Sequence, residues 1–148
     1  MTASIPTRAP TRHEEVPLST ALEAGAAAAV AAAVVNVLIS ALARAMLGIG
    51  EEFVPLTPGP IVLWTTIGAV VGALGWRRVV THSARAGALL RVLVPTVLVL
   101  SFAPDLALLV DDSTPGQTTA GVVILMVLHV VTATVVVLTL RWTMPYRC

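Results

Sequence analysis

The chain has 148 residues, of which 57% are hydrophobic and 11% are charged, whereas soluble domains contain about 45–50% apolar and about 25% charged residues. With a mean hydropathy of +0.92, this composition excludes an ordinary soluble domain and indicates that most of the chain lies in a lipid bilayer. The formal net charge is +1, and the basic residues form no run interleaved with aromatics, so we expect no nucleic-acid partner.

Residues 1–18 contain three prolines and scattered charges without an apolar period, so they are predicted to form a disordered cytoplasmic tail. Residues 19–142 are predicted to form one transmembrane domain, followed by a short cytoplasmic C-terminus, residues 143–148. The domain contains four apolar segments, each near the length that a helix needs to cross the hydrocarbon. The predicted fold is therefore all-α, a polytopic membrane protein with a four-transmembrane-helix bundle. The predicted spans are about 22–44, 60–78, 86–106 and 118–140.

The second span contains the sequence Gly-Ala-Val-Val-Gly at residues 68–72, and Gly75 follows about one turn later. Glycines at this spacing let a neighbouring helix approach closely within a membrane. We expect Gly68, Gly72 and Gly75 to pack against another helix of the same chain. A dimer face is the alternative.

The third span carries Arg91 about one turn from its start, Pro95 in its body and Pro104 near its end. Arg91 is expected to extend its guanidinium to the lipid headgroups. A proline within a membrane helix is tolerated where neighbouring groups satisfy the freed carbonyl. The sequence leaves open whether this span is continuous through both prolines.

The distribution of arginine predicts the orientation of the spans, because loops facing the cytoplasm carry an excess of basic residues. Eight of the nine arginines lie in the tail, around the second loop or at the C-terminus, whereas the first and third loops hold one arginine and five of the eight acids. Arginine fully replaces lysine, and alanine and valine abound, which indicates a GC-rich bacterial genome. We therefore predict a multi-pass protein of the bacterial cytoplasmic membrane with both termini in the cytoplasm.

Three polar residues of the first span, Asn36, Ser40 and Arg44, are spaced four apart and share one face of the helix. An amide in hydrocarbon costs a few kcal/mol unless it is paired, so this face should point into the bundle. Asn36 and His129 each lie about 12 Å along their helices from the predicted outer boundary. We hypothesise that these two side chains form a hydrogen bond, and that the four residues together line a candidate polar pocket.

His129 has two interpretations. It is a neutral imidazole that donates to a carbonyl or amide of a neighbouring helix, or it is a proton relay or a ligand, because intramembrane ionisable groups are candidates for function. The spans contain no second histidine, and no carboxylate is expected at mid-depth. We favour the first interpretation, and the histidine count excludes bis-histidine haem ligation within one chain.

Arg44 and Asp105 both lie near the predicted outer rim. We expect them to form an ion pair that clamps the first helix to the third. The alternative is an outward-facing cavity in which Arg44 holds an anion. Snorkelling or helix capping is the usual role of an exposed arginine at a helix C-terminus.

Signatures of catalysis and of cofactor binding are absent from the sequence. Ser40 and Ser101 have no adjacent base, no zinc-protease or phosphate-loop motif occurs, and every acid lies at a span end or in a loop. The single cysteine, Cys148, excludes a disulfide framework and an iron–sulfur cluster within one chain. We therefore expect no catalytic residues, no metal site and no cofactor.

Four stretches of the chain carry a resemblance to a known family. They are residues 33–44 around Asn36, the glycine-rich second span ending at Gly75, residues 98–106 around Pro104, and residues 125–131 around His129. In this order they resemble a family of uncharacterised four-span integral membrane proteins of actinobacteria, a domain of unknown function. The resemblance covers roughly residues 30–141 and implies the topology and an envelope location without a reaction. It also directs attention to Asn36, Arg44 and His129.

Two functional hypotheses follow from the sequence. The first is a non-enzymatic membrane protein that acts as a structural or accessory subunit, whose surroundings are the lipid bilayer and a membrane-protein partner or further copies of itself. The second is a small transporter with an outward-facing polar pocket lined by Asn36, Ser40, Arg44 and His129. A filled interior favours the first hypothesis, and an open pocket favours the second.

Overall fold

The computed structural model of the chain describes residues 15–111 and 113–146. Within these residues every regular element is helical. Most of the predicted tail, residues 1–14, and the last two residues, including Cys148, lie outside the described residues. The elements are α1 (Leu18–Leu47), a short 3₁₀ helix (Val54–Leu56), α2 (Pro58–His82), α3 (Ala86–Ser101), α4 (Ala103–Leu108) and α5 (Thr119–Thr143).

The predicted all-α class with four membrane-length segments is confirmed. In the described part of the chain, four helical segments are long and apolar enough to cross a bilayer: α1, α2, α3 together with α4, and α5. The third segment is continuous through Pro95 and is interrupted at Phe102, ahead of Pro104. Only the second proline therefore breaks the span.

The helix α1 packs against α2 and α5, which also contact each other, while α3 packs against α2 and α5, and α4 packs against α5. Small residues allow the close contact between α1 and α2. A Cβ atom on Gly25 would lie 3.0 Å from the Cβ of Ala73, and Ala28, Ala32 and Ala69 are fully buried. This alanine-lined contact is the tightest helix packing in which glycine takes part.

Of the three glycines of the second span that were expected to pack against another helix of the chain, only Gly72 does so. A Cβ atom on Gly72 would lie 3.3 Å from the side chain of Val136 on α5, so Gly72 packs inside the bundle. Gly68 and Gly75 are exposed on the outer surface of α2. The face of α2 that meets α1 is instead the one carrying Ala69 and Ala73, because these residues occupy the opposite side of the helix.

The helices alternate in direction, so the two ends of the bundle differ. The terminal end contains the α2–α3 connection and both ends of the described chain: Arg77 donates to the carbonyl of Val16 (2.8 Å), and the indole of Trp76 donates to the carbonyl of Met144 (3.0 Å). The loop end contains the α1–α2 and α4–α5 connections. An apolar cluster fills each end, and a polar layer lies between them.

The terminal cluster is rich in alanine, and the loop cluster is built from larger side chains. The terminal cluster consists of Ala21, Ala24, Ala28, Ala29, Ala69, Ala73, Trp76, Leu90, Val136, Leu140 and Met144. The loop cluster consists of Ile49, Phe53, Leu56, Ile61, Val122, Leu125 and Leu128.

Candidate functional site

Asn36 forms the polar layer between the two clusters, and only 1% of its surface is exposed. Its Nδ2 donates to Thr65 Oγ1 on α2 (3.0 Å) and to Thr132 Oγ1 on α5 (2.7 Å). The hydroxyl of Thr132 donates in turn to the carbonyl of Leu128 (2.8 Å), so it accepts from Asn36 and keeps its own hydrogen paired. The amide of Asn36 thus joins three helices.

Ser40 lies one turn further along the same face and is 2% exposed. Its Oγ donates to the carbonyl of Leu56 (2.7 Å). The residue four positions after Leu56 is Pro60, which has no backbone N–H, so Ser40 supplies a donor that a helical continuation lacks. This bond fixes the α1–α2 connection against α1.

Arg44 pairs with a residue of the connection that follows its own helix. Its guanidinium NH2 lies 3.2 Å from Glu51 Oε1, and the Glu51 side chain is 93% exposed. The predicted ion pair between Arg44 and Asp105 is therefore wrong. The chain turns back after α1 and brings Glu51 to Arg44, while Asp105 faces a different helix.

Asp105 contacts His129. Its Oδ2 lies 3.1 Å from the Nδ1 of His129, and Asp105 is 5% exposed. The same Nδ1 lies 3.0 Å from the carbonyl of Leu125 on its own helix. Asp105 is thus a buried carboxylate near the end of the third segment, a contact that the sequence analysis did not predict.

The break between α3 and α4 places Asp105 in this position. Pro104 favours a break ahead of it, because it lacks the N–H and its ring crowds the preceding turn, although Pro95 has the same properties and lies inside α3. The chain restarts as α4 with Pro104 in the first turn, where a proline is favourable, and Asp105 follows in that turn. The ring of Phe102, at the break, meets the imidazole of His129 edge-on with 6.1 Å between centroids.

The hypothesised hydrogen bond between Asn36 and His129 does not form. Asn36 lies within α1 and His129 within α5, but their side chains face different neighbours. Thr132, three residues after His129, is rotated about 60° around the α5 axis and faces α1, whereas His129 faces α4. Asn36 therefore contacts α5, as the hypothesis required, but its partner there is Thr132.

The four residues of the predicted polar pocket are distributed over separate contacts in the described part of the chain. Asn36 and Ser40 are sealed inside the bundle, the largely buried Arg44 side chain pairs with the exposed Glu51, and His129 lies against α4. Sequence reasoning missed Thr65 as the second partner of Asn36. The available signal was its position in an apolar span, where an exposed hydroxyl is unfavourable and an internal partner is expected.

These polar groups are arranged to join helices to each other, and they leave few free groups for binding a ligand or for catalysis. The donors of Asn36 and Ser40 are committed to internal acceptors, and the pair formed by Asp105 and His129 supplies two of the three or more ligands that a metal site needs. Among the described residues, no group of three or more His, Cys, Asp or Glu side chains could hold a metal ion.

No protein-family model, no curated protein and no solved structure matches this chain. The resemblance to the actinobacterial family stays a prediction.

Proposed function

We propose that this chain is a non-enzymatic integral membrane protein that acts as a structural or accessory subunit. The burial of Asn36 and Ser40, which are 1% and 2% exposed, is the observation that carries the proposal. A transport path needs polar groups that exchange between a ligand and solvent. Here the donors bind neighbouring helices and the connection at the loop end, which is the behaviour of groups that fix a scaffold.

A second observation supports a partner for this scaffold. Gly68 and Gly75 lie on an outward face of α2 together with Trp64 and Val71, which are 68% and 62% exposed. A Cβ atom on either glycine would meet no atom within 4 Å. Glycine costs about 1 kcal/mol relative to alanine inside a helix, and no contact with another described residue offsets that cost at these two positions.

We refer to these four residues as the glycine face. An intramembrane surface that carries glycines lets the backbone of another helix approach closely. The proposed occupant is a transmembrane helix of a partner protein, and a second copy of this chain is an alternative outcome of the test.

The test is purification of the full chain from its native membrane in mild detergent, comparing the wild type with the double variant Gly68→Leu, Gly75→Leu. We expect a stoichiometric protein partner with the wild type and its loss with the variant, because leucine fills the space into which the partner helix fits. Helical content and melting temperature should not change, since both positions are open within the monomer.

The matched control is Ala31→Leu, a small-to-large change at an exposed position of α1. It should retain the partner. A partner that is retained by the double variant would contradict the glycine face, and a second copy in the complex would identify a homo-oligomer. A stoichiometric bound small molecule in place of a protein would contradict the accessory role.

The proposed location is the bacterial cytoplasmic membrane, with both termini in the cytoplasm. The charges at the two ends of the bundle support this orientation. The terminal end carries Arg77, Arg78 and Arg85 around its connection, whereas the connections of the loop end carry Glu51 and Asp111. An excess of basic residues is typical of the cytoplasmic side.

The alternative, a small transporter with an outward-facing polar pocket, is favoured by one observation. Asp105 and His129 form an ionisable pair inside membrane-length segments, and the His129 side chain is 37% exposed. Proteoliposomes containing a trapped pH-sensitive dye test this role. Proton entry that is lost in His129→Gln and in Asp105→Asn would support transport, and equal entry in all three proteins would contradict it.

A further inference from the structure

A groove opens between α3 and α5 at the terminal end of the bundle, with a volume of about 250 Å³. Two arginines line it, Arg91 from α3 and Arg141 from the last turn of α5. Trp76 and Tyr146 also line the groove. It lies where the helices end, which is the depth of the lipid headgroups for a bundle of membrane-length helices.

The two arginines of the groove lack an acidic partner among the described residues, since neither forms a salt bridge there. Arg44 contacts Glu51, and Arg77 donates to the carbonyl of Val16. The exposed Arg78 and Arg85 resemble the groove arginines in forming no salt bridge among the described residues. Arg141 lies over the ring of Tyr146, with its guanidinium carbon 5.9 Å from the ring centroid. Two like charges that line one small groove repel each other, so an anion between them would be stabilised by both.

Two packed aromatic rings form one wall of the groove. The rings of Trp76 and Tyr146 lie 5.8 Å apart between centroids, and the indole N–H of Trp76 donates to the carbonyl of Met144. A Cβ atom on Gly87 would lie 2.9 Å from Cε2 of Tyr146. The absence of a side chain at Gly87 is therefore what lets the tyrosine ring lie against the first turn of α3.

The remainder of the groove is apolar. Leu90, Val94 and Pro95 line it from α3, and Val137 lines it from α5. The charged and apolar parts thus meet in one groove, in the order in which a headgroup and an acyl chain meet in a lipid. A free phosphate ion would use the arginines and leave the apolar part without a role.

From this juxtaposition we infer that the groove between α3 and α5 binds an anionic phospholipid, whose phosphate lies between Arg91 and Arg141 and whose acyl chain lies along Val94, Pro95 and Val137. Basic pockets between transmembrane helices are known to recognise anionic headgroups. Tyr146 and Trp76 hold the wall at the level of the headgroup, where amphipathic aromatic rings are favourable.

Native mass spectrometry of the full chain in detergent tests this site. The delipidated protein is titrated separately with phosphatidylglycerol, phosphatidylcholine and inorganic phosphate. We expect one phosphatidylglycerol to bind in preference to phosphatidylcholine, and inorganic phosphate not to bind. Each arginine near a membrane surface strengthens the binding of anionic lipid about fivefold, so Arg91→Gln and Arg141→Gln should each weaken binding by about this factor.

Two further variants separate a built site from general attraction to charge. Arg85→Gln removes an exposed arginine at the same end, outside the groove, and should leave the affinity unchanged. Gly87→Val keeps every charge but displaces Tyr146, and should weaken phosphatidylglycerol binding while the protein stays monodisperse and helical.

Three outcomes would overturn the inference. They are equal losses in Arg85→Gln and Arg91→Gln, equal binding of the two lipids by the wild type, and saturable binding of inorganic phosphate at the same site. The first would identify non-specific attraction, the second a lipid groove without charge recognition, and the third a soluble anion as the ligand. None of them bears on the glycine face, which lies on α2.

Discussion

The loop end and the terminal end of the bundle solve the same packing problem with different residues. At the loop end large side chains fill the interior: Phe53 and Leu56 are fully buried, and the connections pack on each other. A Cβ atom on Gly116, which has a φ of 68°, would lie 2.9 Å from the backbone N of Phe53. At the terminal end the helices meet through alanines, and Tyr146 and two arginines lie around an open groove.

Because of this difference, we expect the two ends to differ in how strongly they respond to the loss of a side chain and in whether they can bind a ligand. A region without free space loses much when a side chain is removed, because the neighbours cannot close the cavity completely. A region with an open groove can accept a ligand without rearrangement. We therefore expect large losses of stability from truncations in the loop cluster, and we place the proposed lipid contact at the terminal end.

The largest expected effect is that of Phe53→Ala. Its side chain is fully buried between the connections, so its removal should lower the free energy of unfolding by about 3–5 kcal/mol. The matched change at the other end, Tyr146→Ala, removes a half-buried ring beside the groove and should cost clearly less. Unfolding in mixed micelles with rising denaturing detergent measures both, and equal losses would abolish the distinction between the ends.

The next effect compares two glycines. A Cβ atom on Gly121 would lie 2.8 Å from Cε1 of Phe53, whereas one on Gly68 would meet nothing within 4 Å. Gly121→Ala should therefore destabilise the protein by about 1–3 kcal/mol through overpacking. Gly68→Ala should leave the stability of the isolated chain unchanged or slightly raised. Melting temperatures of the two variants and the wild type in detergent measure both effects. A lower melting temperature for Gly68→Ala would contradict an open outer face of α2.

A smaller effect concerns the layer between the two ends. A double-mutant cycle of Asn36→Ala and Thr132→Val should give a coupling energy of about 0.5–1.5 kcal/mol, the range for hydrogen bonds between membrane helices. The cycle of Asn36→Ala with His129→Ala serves as the control and should give none, since His129 contacts Asp105. Coupling only in the second cycle would restore the arrangement that the sequence suggested.

The smallest effect is a pH dependence at the loop end. The side chain and the backbone N–H of Ser113 donate to Asp111 and hold the pKa of its carboxyl below the usual 3.8. A lowered pKa contributes stability that is present above pH 3.8 and is lost as the pH falls through the folded-state pKa. Between pH 6 and pH 3 the melting temperature of the wild type should fall slightly more than that of Asp111→Asn. An identical fall would remove this contribution.

The sequence predicts the architecture well because membrane spans follow from composition and length. Four apolar segments and the interruption risk at Pro104 are visible in the printed chain, since lipid tolerates few alternatives to a helix. The break itself depends on which proline the neighbouring helices can accommodate. Pro95 stays inside α3, and Pro104 does not.

The polar contacts were harder to predict, because they depend on rotation of each helix about its axis. A spacing of four placed Asn36 and Ser40 on one buried face correctly. The same spacing argument does not show which side chain of α5 is the partner of Asn36. Thr132 and His129 lie about one turn apart, but Thr132 faces α1 and His129 faces α4. Arg44 was assigned to a distant acid although Glu51 follows seven residues later, because the turn of the connection is not visible in the hydrophobic pattern.

Cysteine labelling in intact cells tests the central claim, an even number of crossings with both termini inside. Single cysteines are placed at Glu51→Cys, Ser113→Cys and Ala84→Cys in a Cys148→Ser background, and the native Cys148 is tested alone. A membrane-impermeant maleimide should label the first two in intact cells, and Ala84→Cys and Cys148 only after permeabilisation. Labelling of Ala84→Cys from outside, or of only one of the two loop-end positions, would contradict the four-span topology.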